Sequence, residues 1–143
     1  MTTILREDRK QQVTGKTSQS TYSDFLCDFT PHPNTEDLVR NTNEAAVSRA
    51  IRNLMLTNKG ERFFSDIGSN IRNTLFEPIS DITAATLKTL ITDTINNHEK
   101  RAKLIDINIT PNEAYQSYKI DIYYYIINNP QPVGLSVTLY RVR

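Results

Sequence analysis

Apolar and polar positions alternate along this chain with two different periods, and the change falls near residue 100. After Asn41, Val47, Ala50, Ile51 and Leu54 recur at i, i+3, i+4 and i+7, while Arg49, Arg52 and Asn53 take the other side. That spacing predicts an amphipathic helix. Asn41 with Glu44 three residues on fits a capping box at its start. The helix is expected to stop near Asn58, with Gly60 as a left-handed C-terminal cap. A short second helix is expected over residues 69–76, capped by Ser69, with Ile71 and Leu75 on one face and Pro78 ending it. Gly68 permits a tight turn just before it. The third helix spans about 83–98. Leu87, Leu90, Ile91, Thr94 and Ile95 form its apolar stripe, opposite Lys88, Asp93, Asn96 and Asn97.

Past residue 100 the period falls to two. In KLIDINIT, Ile105, Ile107 and Ile109 alternate with Asp106 and Asn108. In YKIDIYYYII, Tyr118, Ile120, Ile122, Tyr124 and Ile126 share one face, and Lys119, Asp121, Tyr123 and Tyr125 the other. In VGLSVTLYRV, Val133, Leu135, Val137 and Leu139 alternate with Ser136, Thr138 and Tyr140. Three strands joined by short connections predict an antiparallel meander. Helices followed by a meander give an α+β fold. Such a sheet has free edges, and the last strand ends in LYRVR with nothing after it to cover one. Arg141 and Arg143 either guard that edge or flank a strand offered to a partner.

Residues 1–37 read differently. REDRKQQVTGKTSQST is polar and aperiodic, so it is expected to be flexible or to order only against a partner. Tyr22, Phe25, Leu26 and Phe29 then cluster before Pro31 and Pro33, which exclude a helix there. The reading is an extended arm that lays aromatics on its own domain or on a neighbour. The division is an arm over 1–37 and a domain over 38–143.

Bulk properties narrow the chemistry. A chain of 143 residues fits one domain. A net charge of +1 gives no global argument for nucleic acid or an anionic membrane. No apolar run approaches the roughly 20 residues of a membrane span, and the N-terminus lacks a signal-peptide core. The single Cys27 excludes an internal disulfide framework and suits a reducing compartment. His32 and His98 are far apart and match no ligand spacing, so neither a metal nor another cofactor is expected. There is no nucleophile elbow and no phosphate loop. Glu61, Asp66, Glu77 and Glu99 qualify for acid–base work by residue type alone. Lys59, Arg62, Lys100 and Arg101 beside them would depress carboxylate pKa values, whereas a general acid needs its pKa raised. No catalytic residue is assigned. Tyr123, Tyr124 and Tyr125 could stack bases, but without interleaved cations they read as strand residues. Glu99 and Arg101 stand out, because an arginine fork at an element junction makes a directional contact.

These motifs, in order, resemble the small wedge proteins of contractile-tail baseplates, the phage P2 protein W and T4 gene-25-like group, related to the type VI secretion protein TssE. The family's Lys-Gly-x-Arg loop matches Lys59, Gly60, Glu61 and Arg62. A glycine before the short helix matches Gly68, and a Leu-Phe pair matches Leu75 and Phe76. The Glu-Pro-Arg signature matches Glu99 and Arg101, with Lys100 at the proline position. The resemblance covers about residues 38–143. It implies a non-enzymatic virion protein of the tail baseplate, assembled in the host cytoplasm in six copies around the tail axis. The implied partners are other wedge proteins, the tail sheath, and tube or hub proteins, with no nucleic acid or membrane. The sheath would be initiated by β-augmentation. Lys59, Glu61, Arg62, Glu99, Arg101, Leu139, Tyr140 and Arg141 are the expected partner-binding residues, and Gly60 and Gly68 the structural turns. The alternatives are a lysozyme-like cell-wall hydrolase and a free-standing adaptor.

Overall fold

The computed structural model describes residues 21–26, 29–63 and 65–141. The expectations for residues 1–20, Cys27 and Arg143 lie outside these. The elements run β1 (Ser23–Phe25), β2 (Arg40–Thr42), α1 (Asn43–Leu56), α2 (Ile71–Thr74), α3 (Asp81–His98), β3 (Ala102–Asn112), β4 (Ser117–Ile126) and β5 (Pro132–Tyr140). The fold is α+β, with the three long strands in the antiparallel order β3-β4-β5.

The core lies between the helices and one face of this sheet. Val47, Ile51 and Met55 of α1 and Leu87, Ile91 and Ile95 of α3 meet Tyr118, Ile120, Ile122, Tyr124 and Ile126 of β4, the fully alternating central strand. Two of these tyrosines are buried but not wasted as polar groups. The Tyr124 hydroxyl lies 2.7 Å from Ser48 Oγ, and the Tyr118 hydroxyl accepts from the Ser80 backbone at 3.3 Å. Burial needs such partners for a phenolic hydroxyl. Ser80 also caps α3, its Oγ accepting from the Thr83 amide at 3.2 Å.

Four local expectations change. The cap of α1 is Thr42, because Asn41 is paired in β2. Asn43 instead accepts from the Thr21 amide through Oδ1, and Glu44 accepts from Asn129. Thr57, in extended conformation, ends α1, so Gly60 with φ +86° turns the following loop rather than capping the helix. The N-cap of α2 is Asn70, one place after Ser69, whose Oγ accepts from the Ile71 amide at 3.5 Å and donates to the Met55 carbonyl at 2.8 Å. In β3 a bulge between Leu104 and Asp106 turns Ile105 outward. The inward set is therefore Ala102, Leu104, Ile107 and Ile109 rather than a run of isoleucines.

The arm folds back from residue 22 onward. β1 pairs antiparallel with β2, across the expected division at 37/38. The turn at the prolines is closed by His32 and Asp37, with the His32 amide donating to the Asp37 carbonyl at 2.7 Å. Tyr22 packs against the core, while Phe25 and Phe29 stay exposed.

Gly68 has the more demanding of the two glycine positions. The chain doubles back so that the Ser69 amide donates to the Thr57 carbonyl at 2.8 Å, and Asn58 and Ser69 form a parallel bridge. A Cβ on Gly68 would lie 2.7 Å from Thr57 O and 2.8 Å from the Asn58 carbonyl carbon, at φ +131°. At Gly60 a Cβ would meet nothing within 4 Å. Gly60→Ala should therefore cost about 1 kcal/mol, from backbone conformation alone. Gly68→Ala should cost about 3 kcal/mol, since backbone must also move. Urea denaturation of the two variants checks this, and equal losses would contradict it.

Candidate functional site

The end of α3 and the start of β3 make a corner. Glu99 is 5% exposed there, unusual for a carboxylate. Its two oxygens accept from Arg101 Nε and Nη2, each at 2.8 Å. This is a bidentate fork. Glu99 Oε1 also accepts from the Arg101 amide at 3.2 Å, and the Ala102 amide donates to the Glu99 carbonyl. Those backbone contacts close the turn with Lys100, not proline, at its middle. Lys100 Nζ donates to the Asn96 carbonyl at 3.0 Å, at the negative end of the helix.

Arg101 reaches further. Its Nη1 donates to Asp24 Oδ2 of β1 at 3.2 Å, and its guanidinium lies 5.7 Å from the Tyr22 ring. The hydrogen bond to Glu99 chiefly raises its pKa above the ordinary arginine range, against a lowering by burial, so the charge is permanent. One guanidinium thus ties α3, β3 and the N-terminal hairpin together. Reversing its charge would place a carboxylate against buried Glu99, so Arg101→Glu cannot separate binding from folding.

The expected loop residues divide. Glu61 turns back on its own loop, accepting from the Asn58 amide at 3.1 Å and from Asn58 Nδ2 at 2.9 Å, with Arg72 at 4.0 Å. Lys59 is exposed beside Gly68, Asn97 and His98. Arg62 does come near the corner: it lines a groove that Glu99 and Asp24 also line. Arg49, overlooked in the sequence because it reads as the polar side of a helix, lines the same groove.

At the far end of the sheet, Leu139 is buried, Tyr140 exposed and Arg141 in between. β5 pairs with β4 in unbroken register from Pro132 to Tyr140. The Arg141 amide donates to the Gln116 carbonyl at 2.8 Å, and Arg141 Nη1 donates to Gln116 Oε1 at 3.1 Å. In an antiparallel ladder hydrogen-bonded pairs alternate. Counting back from Arg141, Leu139, Val137 and Leu135 face β4, while Tyr140, Thr138, Ser136 and Gly134 aim their backbone groups away. Among the described residues no strand pairs with that side. The opposite edge is less available. β3 is bulged at Ile105, and Lys88 Nζ pairs with Asp106 at 3.2 Å beside the bulge.

Truncating Arg101 to Met leaves Glu99 buried without its fork and should cost on the order of 3 kcal/mol. Arg101→Lys keeps the charge but not the two parallel bonds, and should fall between Met and wild type. Thermal melts of the three proteins measure this. Wild-type stability in both variants would show that the corner does not hold the fold.

The sequence model of the family described as baseplate wedge protein gp25 matches residues 41–131. The baseplate wedge protein gp25 of Enterobacteria phage T4 is 26% identical over 101 residues, which span 68% of this chain and 75% of that protein. Among solved structures, a Geobacter sulfurreducens protein with the provisional name of tail lysozyme superposes with a TM-score of 0.62 at 24% identity, over 68% of this chain and 89% of that one. A chain in the anti-feeding prophage baseplate gives a TM-score of 0.59 at 22% identity, over 85% and 86%. These two likenesses concern the fold. The family match covers most of the chain, and the chain belongs to the baseplate wedge protein gp25 family.

Proposed function

We propose that this chain is a structural, non-enzymatic component of a contractile-tail baseplate wedge, and that β5 receives the first strand of the tail sheath. The observation that carries the second part is the outward ladder of β5, with Gly134, Ser136, Thr138 and Tyr140 aimed away from the sheet beside a guarded opposite edge. Backbone groups so placed bind an added strand through main-chain hydrogen bonds, with alternate side chains giving selectivity. Leu139 contributes by holding β5 to the core, and Tyr140 and Arg141 by contact at the strand's end. Lys59, Arg62 and the Glu99–Arg101 corner then face the other wedge proteins, with Glu61 setting the loop. Six copies around the tail axis, contacts to tube or hub, and assembly in the host cytoplasm belong to the same proposal.

A hydrolase reading gains no support from the carboxylates. Glu99 is held by Arg101 and Glu61 by Asn58. Asp106 and Asp121 have pKa values pushed below the usual range, by Lys88 and by Ser136 with Lys119 respectively. A general acid needs the opposite shift.

Proline at position 138 separates the two uses of the edge. It removes an outward N–H without breaking a bond to β4, and proline is tolerated on edge strands. Thr138→Pro should keep its melting behaviour and its wedge partners but lose co-purification with sheath protein. Undiminished sheath recovery would refute augmentation at β5.

A further inference from the structure

Two clefts open at the same place on the free edge of β5, one on each face of the sheet, and Leu135 lines both. The outer cleft, about 210 Å³, lies over Gly134 between Asp121, Tyr123 and Ser136. Gly134 has no side chain to fill it, and the Tyr123 ring leans across the gap. A Cβ on Gly134 would lie 3.6 Å from Tyr123 Cε1, an ordinary contact. Tyr123 is still 43% exposed. Asp121 is engaged by Ser136 Oγ at 2.6 Å and by Lys119 Nζ at 3.1 Å, so the unmet surface of this cleft is the ring. The inner cleft, about 270 Å³, lies between β5, α1 and the segment after β1. Leu26, Ala45 and Leu135 give it an apolar wall, Arg52 is exposed on it, and Arg49 stands half-buried beside it. Among the described residues no carboxylate lines this cleft, and Arg52 forms no ion pair. Leu135 is half-buried there, whereas Val137 and Leu139 further along β5 are buried.

We infer that the strand received by β5 carries an aromatic residue opposite Gly134 and an acidic residue opposite Leu135, and that this neighbouring pair sets its register. The inference rests on the strand reading above and deepens it by naming what the strand must carry. Gly134 aims its backbone outward, so the residue paired with it stands on the outer face beside the notch. A glycine in a strand offers nothing to pack against, and an aromatic ring across from it restores the cover. Here the ring also meets Tyr123, and offset or edge-on aromatic pairs are favourable. The next residue of the added strand points to the opposite face. Opposite Leu135 it enters the inner cleft. A glutamate there lays its stem on the apolar wall and its carboxylate toward Arg52, while a lysine or arginine is repelled. The pair is adjacent whichever way the strand runs. A slip of one residue exchanges the faces. It would bring the carboxylate beside Asp121 and leave the cationic cleft without its counter-charge.

The test mixes the purified chain with overlapping 12-residue peptides spanning the sheath protein of the same tail, read by fluorescence anisotropy. The peptides that bind should hold Asp or Glu next to Phe, Tyr or Trp, with apolar residues at the alternate positions beyond the acid. Arg52→Glu should weaken them by at least about fivefold, the upper range of an exposed ion pair. A peptide with its acid changed to Lys should restore the affinity of that variant. Gly134→Val fills the notch and should weaken binding about threefold to fivefold, as cross-strand pairs do. Changing the peptide's aromatic residue to Ala should cost as much, and the two changes together no more than either. Both variants should melt no lower than wild type, because Arg52 is exposed and valine suits an extended backbone. No bound peptide, or bound peptides indifferent to Arg52 or to Gly134, overturns the inference. Sheath recovery that Thr138→Pro still abolishes would in that case leave the strand reading standing. Recovery that Thr138→Pro does not diminish removes both.

Discussion

The buried Glu99 carboxylate is the constraint on which the arrangement depends. A charge removed from water must be answered by charge and hydrogen bonds. Arg101 answers it with two 2.8 Å bonds from a position only two residues away. That separation forces the chain to reverse between α3 and β3. The same guanidinium then has one nitrogen left for Asp24, which draws the hairpin onto the corner. The local turn and one tie to the N-terminal segment meet in this one guanidinium. The Glu99–Arg101 pair is therefore first a device for folding. Any partner that contacts it meets a surface already held rigid.

Such rigidity suits a part that others are built upon. A free edge templates a strand well when its own register cannot slip. β5 is held by an unbroken register on β4, and β4 is the buried centre of the sheet. The bulge in β3 and the Lys88–Asp106 pair make β3 the less regular edge of the sheet.

Much of this was legible in the sequence where burial imposes a period. β4 alternates without a break, and α3 carries its stripe as read, so the α+β class and the meander follow from pattern alone. Departures arise where a tertiary contact overrides a local signal. Asn41 has the chemistry of a cap, but pairing with Asp24 in the hairpin takes its backbone. Ile105 sits in phase with Ile107 and Ile109, but the bulge moves it out of phase. Ser69 keeps a contact to the first amide of α2, but the N-cap place itself falls to Asn70, and the Ser69 hydroxyl proton goes to the Met55 carbonyl. Gly68 was legible as a turn. Its stronger reason, the approach of the Thr57 and Asn58 backbone, depends on a segment ten residues earlier that no local window relates to it. Glu99 and Arg101 stood out as a charged pair, yet burial of one and the reach of the other to Asp24 have no sequence signal. Arg49 gave none either, because an arginine opposite an apolar stripe is what any solvated helix face contains.

A six-fold averaged reconstruction of the intact tail would show whether this chain is the proposed fixed joint between wedge and sheath. The expected map holds this fold in each wedge, with a sheath strand hydrogen-bonded along residues 134–140 of β5. Absence of the chain from the particle, or its presence with that edge of β5 facing solvent, would refute the proposal.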